Sequence, residues 1–227
     1  MKINAILFDM GDMLFDATYW RKWLYQEILR NHIPAINLPR DYPRFIFLWE
    51  KFLEEAELGR TDYESAFEQF ILSLGFSYPQ FQNIQTESLK QRKEIEKNRK
   101  LFPGVSETLR RLKEMRIKLA ILTDTATPEA GTRERLRKLG IESFFDAVVC
   151  SVDIHHKKPG FWSYQTAIER IGTTRKETIF VGHDRDELFG ARAFGLTTIA
   201  YNSENPGQAN YVIQDFPELI PIVSGER

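Results

Sequence analysis

Short, continuous apolar runs recur along this 227-residue chain, with amphipathic stretches between them. Uninterrupted apolar runs of about four to eight residues are typical of strands buried on both faces, as in a parallel sheet. The clear runs cover residues 3–8, 118–123 and 178–182, and weaker ones cover 147–150 and 197–201. We therefore predict a strand at each of these places.

The stretches between the later runs carry apolar residues at helical spacing, which predicts helices packed on the sheet. They span 104–116, 128–139, 160–171 and 185–194, and a glycine directly follows each of the last three. Strands that alternate with helices form βαβ units, so the pattern predicts a doubly wound, Rossmann-like parallel sheet.

The interval after the first run has a different character, because it is rich in aromatic residues and helix formers and shows no convincing strand. Prolines divide it into about four predicted helices; they are Pro34, Pro39, Pro43 and Pro79. We therefore expect an α/β protein with a Rossmann-like core, residues 1–16 and 101–227, and an inserted α-helical cap domain, residues 17–100.

Composition excludes several classes of protein. The net charge of −1 does not favour nucleic acid as a partner. The single cysteine, Cys150, excludes an intrachain disulfide framework. No run approaches the roughly 20 apolar residues of a membrane span. We expect a cytoplasmic protein that works without a membrane or nucleic acid, and the sequence does not indicate its oligomeric state.

Polar residues of chemical interest follow the predicted strands. Asp9 ends the first run, Thr123-Asp124 the second, and His183-Asp184 follows Gly182, while Lys158 precedes a helix. The carboxyl ends of parallel strands meet at one edge of a sheet, so these groups are expected to converge. A carboxylate nucleophile, a hydroxyl, an ammonium group and further acids suit phosphoryl transfer.

Four segments, in order, resemble the four motifs of the haloacid dehalogenase-like superfamily. They are Phe-Asp-Met-Gly-Asp-Met-Leu at 8–14, Leu-Thr-Asp at 122–124, Lys-Pro at 158–159, and Val-Gly-His-Asp at 181–184 with the glycines and alanine that follow. The resemblance covers the predicted core, and the interval between the first two motifs resembles the family's inserted helical cap. It implies a hydrolase.

The resemblance also implies a role for each matching residue. Asp9 is expected to attack phosphorus and form an aspartyl-phosphate. Thr123, Asp124 and Lys158 are expected to bind the phosphate. Mg²⁺ is the expected cofactor, because its ligands would be oxygens: the Asp9 carboxylate, the Gly11 carbonyl and the Asp184 carboxylate.

Two residues depart from the family pattern. Gly11 stands where the family carries an acid that protonates the leaving group and then activates water. His183 stands where the first acid of the fourth motif is usual. We therefore expect the neighbouring Asp184 to take the metal, helped by Glu187 or Asp186.

Three functions agree with this sequence. The leading hypothesis is a Mg²⁺-dependent phosphatase acting on a small phosphorylated metabolite. A metal-independent haloacid dehalogenase-type hydrolase is one alternative, since that branch also lacks the second acid. A degenerate member that binds a ligand without turnover is the other, suggested by Gly11 and His183. Metal dependence and turnover of a phosphate ester separate the three.

Overall fold

The computed structural model describes residues 3–31 and 41–226. The chain divides into two compact units, Met1–Asp16 with Lys100–Arg227, and Ala17–Arg99. Each unit has a hydrophobic core of its own. Pro34 and Pro39, which helped to divide the helical interval above, lie outside the described residues.

The larger unit contains a six-stranded parallel sheet in the order β3-β2-β1-β4-β5-β6. The strands are β1 Ala5–Phe8, β2 Lys118–Thr123, β3 Ala147–Cys150, β4 Thr178–Gly182, β5 Thr197–Tyr201 and β6 Tyr211–Ile213. Every residue of the central β1 is fully buried. This order is that of a doubly wound Rossmann-like fold, which confirms the predicted α/β class.

Strand β6 was not predicted from the sequence. It has three residues and lies at the edge of the sheet, paired with β5 alone. Tyr211 and Val212 are exposed, and only Ile213 is buried. So short an edge strand leaves little apolar pattern to recognise.

The regular secondary structure of the smaller unit, over its described residues, is entirely helical. Its helices are α1 Thr18–Asn31, α2 Tyr42–Glu57, α3 Tyr63–Ser73 and α4 Tyr78–Asn98. The core is largely aromatic, with Trp49 packed edge-on against Phe67 and Phe70 at ring separations of 5.9 and 5.0 Å. Asp41 and Asp62 begin α2 and α3 by accepting hydrogen bonds from backbone amides.

The remaining helices belong to the larger unit. They are α5 Val105–Glu114, α6 Glu129–Lys138, α7 Ser151–Ile154, α8 Phe161–Ile171, α9 Arg185–Phe194 and α10 Leu219–Ser224. One cluster of buried side chains joins α8 and α9 to the sheet, with Tyr164 of α8 packed against both Phe180 of β4 and Phe194 of α9. Across the described residues of both units, no helix combines the length and apolarity needed to cross a membrane.

Helix α9 packs closely on the segment before α8 at Gly190. A Cβ atom at this position would lie 2.4 Å from the Cβ and 2.8 Å from the carbonyl oxygen of Pro159. Part of that contact is backbone, which cannot move aside as a flexible side chain does. Gly190 therefore sets the distance between α9 and the segment that carries Lys158.

We expect Gly190→Ala to lower the free energy of unfolding by about 1–3 kcal/mol, because overpacking outweighs the gain in helix propensity. Gly131→Ala in α6 is the matched control, since its new Cβ would meet only the Thr127 methyl group. Denaturant melts of both variants measure the difference. Equal stabilities would show that the approach of α9 to Pro159 is not tight.

Asp146 ties α5 to the edges of β2 and β3. Its carboxylate accepts hydrogen bonds from the Lys113 ammonium at 2.7 and 2.9 Å and from the Leu119 amide at 2.8 Å. Burial opposes ionisation, but these donors outweigh it and lower the pKa of Asp146. The ionised form thus stabilises the fold above the unfolded-state pKa, and this contribution disappears as the pH falls.

We expect Asp146→Asn to reduce stability at pH 7 by roughly 0.5–1 kcal/mol, the scale of a partly exposed ion pair. The asparagine oxygen still accepts from the Leu119 amide, so the change removes the charge and one acceptor for Lys113 but keeps the hydrogen bond to β2. The difference from wild type is expected to shrink as the pH falls from about 5 to 3. Thermal melts across this range provide the measurement, and a difference that stays constant with pH would contradict it.

Candidate active site

The site lies where β1, β2 and β4 end side by side. Phe8, the last residue of β1, is in register with Ile121 of β2 and Val181 of β4. Asp9 follows directly, and its amide donates to the Val181 carbonyl at 3.0 Å. This hydrogen bond continues the strand pairing and holds Asp9 at the carboxyl edge of the sheet, where doubly wound proteins bind ligands.

Asp9 forms a buried ion pair with Lys158. The Lys158 Nζ donates to Asp9 Oδ1 at 2.6 Å, and the lysine side chain is completely buried. Burial opposes ionisation of both groups. Even so, the Lys158 charge lowers the pKa of Asp9, and Asp9 with Glu187 raises the pKa of Lys158 well above its usual value. Asp9 is therefore an ionised carboxylate beside a permanent cation.

Two further carboxyl groups surround the Lys158 ammonium or its backbone. Glu187 Oε2 lies 3.0 Å from Lys158 Nζ, and the Lys158 amide donates to Asp124 Oδ1 at 3.2 Å. Burial raises the pKa of Asp124, and it raises the pKa of Glu187 to about 8, in both cases against the attraction of Lys158. The cluster therefore holds more acidic groups than cationic ones.

His183 lies on the other oxygen of the Asp9 carboxylate. Its Nδ1 is 3.4 Å from Asp9 Oδ2, and Asp9 raises the pKa of His183 against the effect of burial. The Ser203 hydroxyl donates to the His183 carbonyl at 2.7 Å and holds this part of the loop. Sequence reasoning noted His183 only as a departure from the motif, although its position was the signal that it faces Asp9.

Asp184 has a structural contact that was not expected. Its Oδ1 accepts hydrogen bonds from the amides of Asp186 at 2.9 Å and Glu187 at 3.0 Å, and its side chain is exposed. It is the N-cap of α9. Glu187, one turn into α9, is the acid that contacts Lys158. The signal for Glu187 was its place four residues after His183, where the family carries its second acid.

The other expected site residues lie at the same strand ends. Thr123 is buried as the last residue of β2, directly before Asp124. Gly11 lies in the turn after β1, which is closed by a hydrogen bond from the Asp12 amide to the Phe15 carbonyl at 2.9 Å. Asp12 adopts a left-handed backbone with φ of 57°. Thus direct contacts join Asp9, Asp124 and Lys158, while Thr123 and Gly11 flank them in the chain.

The described side chains do not form a complete set of metal ligands by themselves. Among residues 3–31 and 41–226, no three His, Cys, Asp or Glu side chains are grouped as a metal-ion site. Mg²⁺ is commonly held by one or two carboxylates together with water and substrate phosphate. A site of that kind needs only part of its ligands from side chains.

Comparison with known proteins gives relatives along the whole length of the chain. It is 26% identical to the glyceraldehyde 3-phosphate phosphatase of Methanocaldococcus jannaschii, over 97% of both chains. It is 27% identical to the pyrophosphatase PpaX of Bacillus cereus, over 99% of this chain and 98% of that one.

Solved structures and a family model agree with these relatives. The crystal structure of a HAD phosphatase from Thermococcus onnurineus matches all of both chains with a TM-score of 0.69 and 24% identity, a likeness that shows the fold. Residues 55–201 match the model of the haloacid dehalogenase-like hydrolase family, which includes the segments of Thr123, Lys158 and Glu187. The resemblance seen in the four motifs is thereby confirmed, and the chain belongs to the haloacid dehalogenase-like hydrolases.

Proposed function

We propose that this hydrolase is a phosphatase that acts on a small phosphorylated metabolite. The observation that carries the proposal is the buried, ionised Asp9 held at 2.6 Å by Lys158 at the carboxyl edge of the sheet. Such a carboxylate is a ready nucleophile, and the ammonium beside it suits an anionic substrate. The relatives named as phosphatases support the same reaction class.

In the proposed reaction an oxygen of Asp9 attacks phosphorus, and the bond from phosphorus to the leaving oxygen breaks. Lys158 stabilises negative charge on the phosphoryl oxygens, and the Thr123 hydroxyl donates to one of them. Water then hydrolyses the aspartyl-phosphate, which releases phosphate and restores Asp9. No acid stands at Gly11 to protonate the leaving oxygen, so good leaving groups are favoured.

The donors present fit a divalent cation, for which we propose Mg²⁺. Asp9 and Glu187 contact the Lys158 ammonium, and Asp124 accepts from the Lys158 backbone amide. Three acidic groups thus lie around one lysine, and this surplus of oxygen donors suits a hard cation. We propose Asp9, the Gly11 carbonyl and an acid after β4 as its ligands. Because Asp184 caps α9, Glu187 now replaces it as the preferred acid. A bound divalent cation supplies positive charge that offsets the charge of the phosphate.

We also propose that residues 17–100, which include the helical unit, act as the cap of the enzyme. Its helices α1 to α4 form a separate core, as expected of an inserted domain. Choice among small phosphorylated substrates is then proposed to depend on this unit, while the chemistry belongs to the sheet edge.

Asp9→Asn is expected to lower phosphate release from an aryl phosphate by about 10³-fold or more, because it removes the nucleophile at nearly constant volume. Release by the wild-type protein is expected to require Mg²⁺ and to stop with EDTA. Glu134→Gln, an acid-to-amide change on the exposed face of α6, is the matched control and should keep full activity. Circular dichroism checks that both variants are folded.

Each other outcome points to a different function. Activity retained in Asp9→Asn would remove the phosphoenzyme mechanism. Absence of phosphate release by folded wild-type protein would favour a binding protein or a dehalogenase, and chloride release from haloacids would separate those two.

Gly11→Asp tests whether the absence of an acid at position 11 limits the rate of hydrolysis. Gly11 has no left-handed backbone conformation, so an aspartate is compatible with its backbone. General acid catalysis contributes roughly 10²–10⁴-fold. We expect the variant to hydrolyse alkyl phosphates at least about 10-fold faster, with a smaller gain for aryl phosphates, whose leaving groups need less protonation. Steady-state kinetics with both ester classes is the measurement, and an equal effect on the two would count against this account.

A further inference from the structure

His183 brings an imidazole nitrogen to the nucleophile. Lys158 contacts Oδ1 of Asp9, whereas His183 Nδ1 lies 3.4 Å from Oδ2. Nδ1 is buried and has no hydrogen-bond partner in the described part of the chain, although it lies within ion-pair distance of Asp9 Oδ2. Buried polar atoms are nearly always satisfied, so this nitrogen calls for an explanation.

The cluster around Asp9 and Lys158 contains a second buried polar atom without a hydrogen bond. Glu187 Oε2 has no hydrogen-bond partner among the described residues, although it lies within 3.0 Å of the Lys158 ammonium. The carboxyl oxygen of Glu187 and the Nδ1 of an unprotonated His183 both offer lone pairs. Asp9 Oδ2, 3.4 Å from His183 Nδ1, adds a second oxygen donor, so a nitrogen and an oxygen donor meet at the nucleophile.

The separation of the donors agrees with a shared cation. Two ligands at right angles, each about 2.1 Å from an octahedral ion, are about 3.0 Å apart. The observed 3.4 Å between His183 Nδ1 and Asp9 Oδ2 is close to that value. The histidine is also held in place, since Ser203 bonds its carbonyl and the N-cap of α9 follows at once.

Donor chemistry then decides which cation is preferred. Mg²⁺ favours oxygen ligands, whereas imidazole favours first-row transition ions. Resting on the proposed function, we infer that His183 is a metal ligand and that it shifts the preference of this site from Mg²⁺ toward transition ions such as Mn²⁺ and Co²⁺. The histidine is thus a determinant of metal choice, and Mg²⁺ becomes the weaker of the ions that the site accepts.

Metal binding without substrate tests this inference directly. Calorimetric titration of Co²⁺, Mn²⁺ and Mg²⁺, each alone, gives the dissociation constants for wild type and for His183→Asp. We expect the preference for Co²⁺ over Mg²⁺ to fall by at least about 10-fold in the variant, the smaller end of effects seen around metal sites. His156→Asp is the matched control, because His156 is exposed and packs near Trp162.

Electron spin-echo spectra of Mn²⁺ bound to the wild-type protein give an independent readout. Modulation from an imidazole nitrogen is expected in wild type and in His156→Asp, and its loss is expected in His183→Asp. Absence of that modulation in wild type would overturn the inference even if the His183 variant fails to fold. An unchanged ratio of Co²⁺ to Mg²⁺ affinity in a folded His183→Asp protein would overturn it as well.

These measurements separate the two proposals. Nitrogen coordination by His183 without hydrolysis of any phosphate ester would leave the metal inference standing and remove the proposed phosphatase. Metal-dependent hydrolysis without nitrogen coordination would do the reverse.

Discussion

The buried ion pair of Asp9 and Lys158 is the contact on which the site depends. It joins residues 149 positions apart in the chain, at 2.6 Å and almost out of contact with water. Loss of one partner from such a pair typically costs about 3–5 kcal/mol, because the other charge is left buried. Glu187 and Asp124 add further partners for Lys158, so the lysine is held from several directions.

The strand order explains why distant residues meet at this pair. The chain leaves β1 and builds β2 and β3 on one side, then returns to build β4 and β5 on the other. Asp9 therefore ends a strand at the point where the direction of winding changes, which is where such sheets bind ligands. Close packing of Gly190 on Pro159 fixes α9, with Glu187, against the segment that carries Lys158.

Charge connects the two departures from the family pattern. Two acidic groups, Asp9 and Glu187, share the Lys158 ammonium, Asp124 accepts from the Lys158 amide, and His183 lies by the remaining oxygen of the nucleophile. This balance is suited to an added cation rather than to an anion alone. Gly11 removes one acid from the same region and so limits the negative charge that the proposed phosphate substrate would meet.

The sequence by itself determined the elements and the order of the motifs. Short continuous apolar runs are typical of inner strands, and helical spacing between them favours a doubly wound sheet. Asp9, Lys158 and Asp124 were predicted together because strand ends converge, and their contacts agree with that expectation. The short edge strand β6 escaped prediction, since three residues carry too little pattern.

Tertiary structure alone decided which acid contacts Lys158 and which nitrogen faces the nucleophile. Asp184, His183 and Glu187 lie within five residues of sequence, and any of them could have turned toward Asp9. The start of α9 gives these residues different contacts. The first amides of the helix donate to Asp184, and the first helical turn places Glu187 against Lys158. Side-chain direction at a helix start depends on such local hydrogen bonds and on packing between distant segments. The apolar pattern of the sequence predicts neither of them.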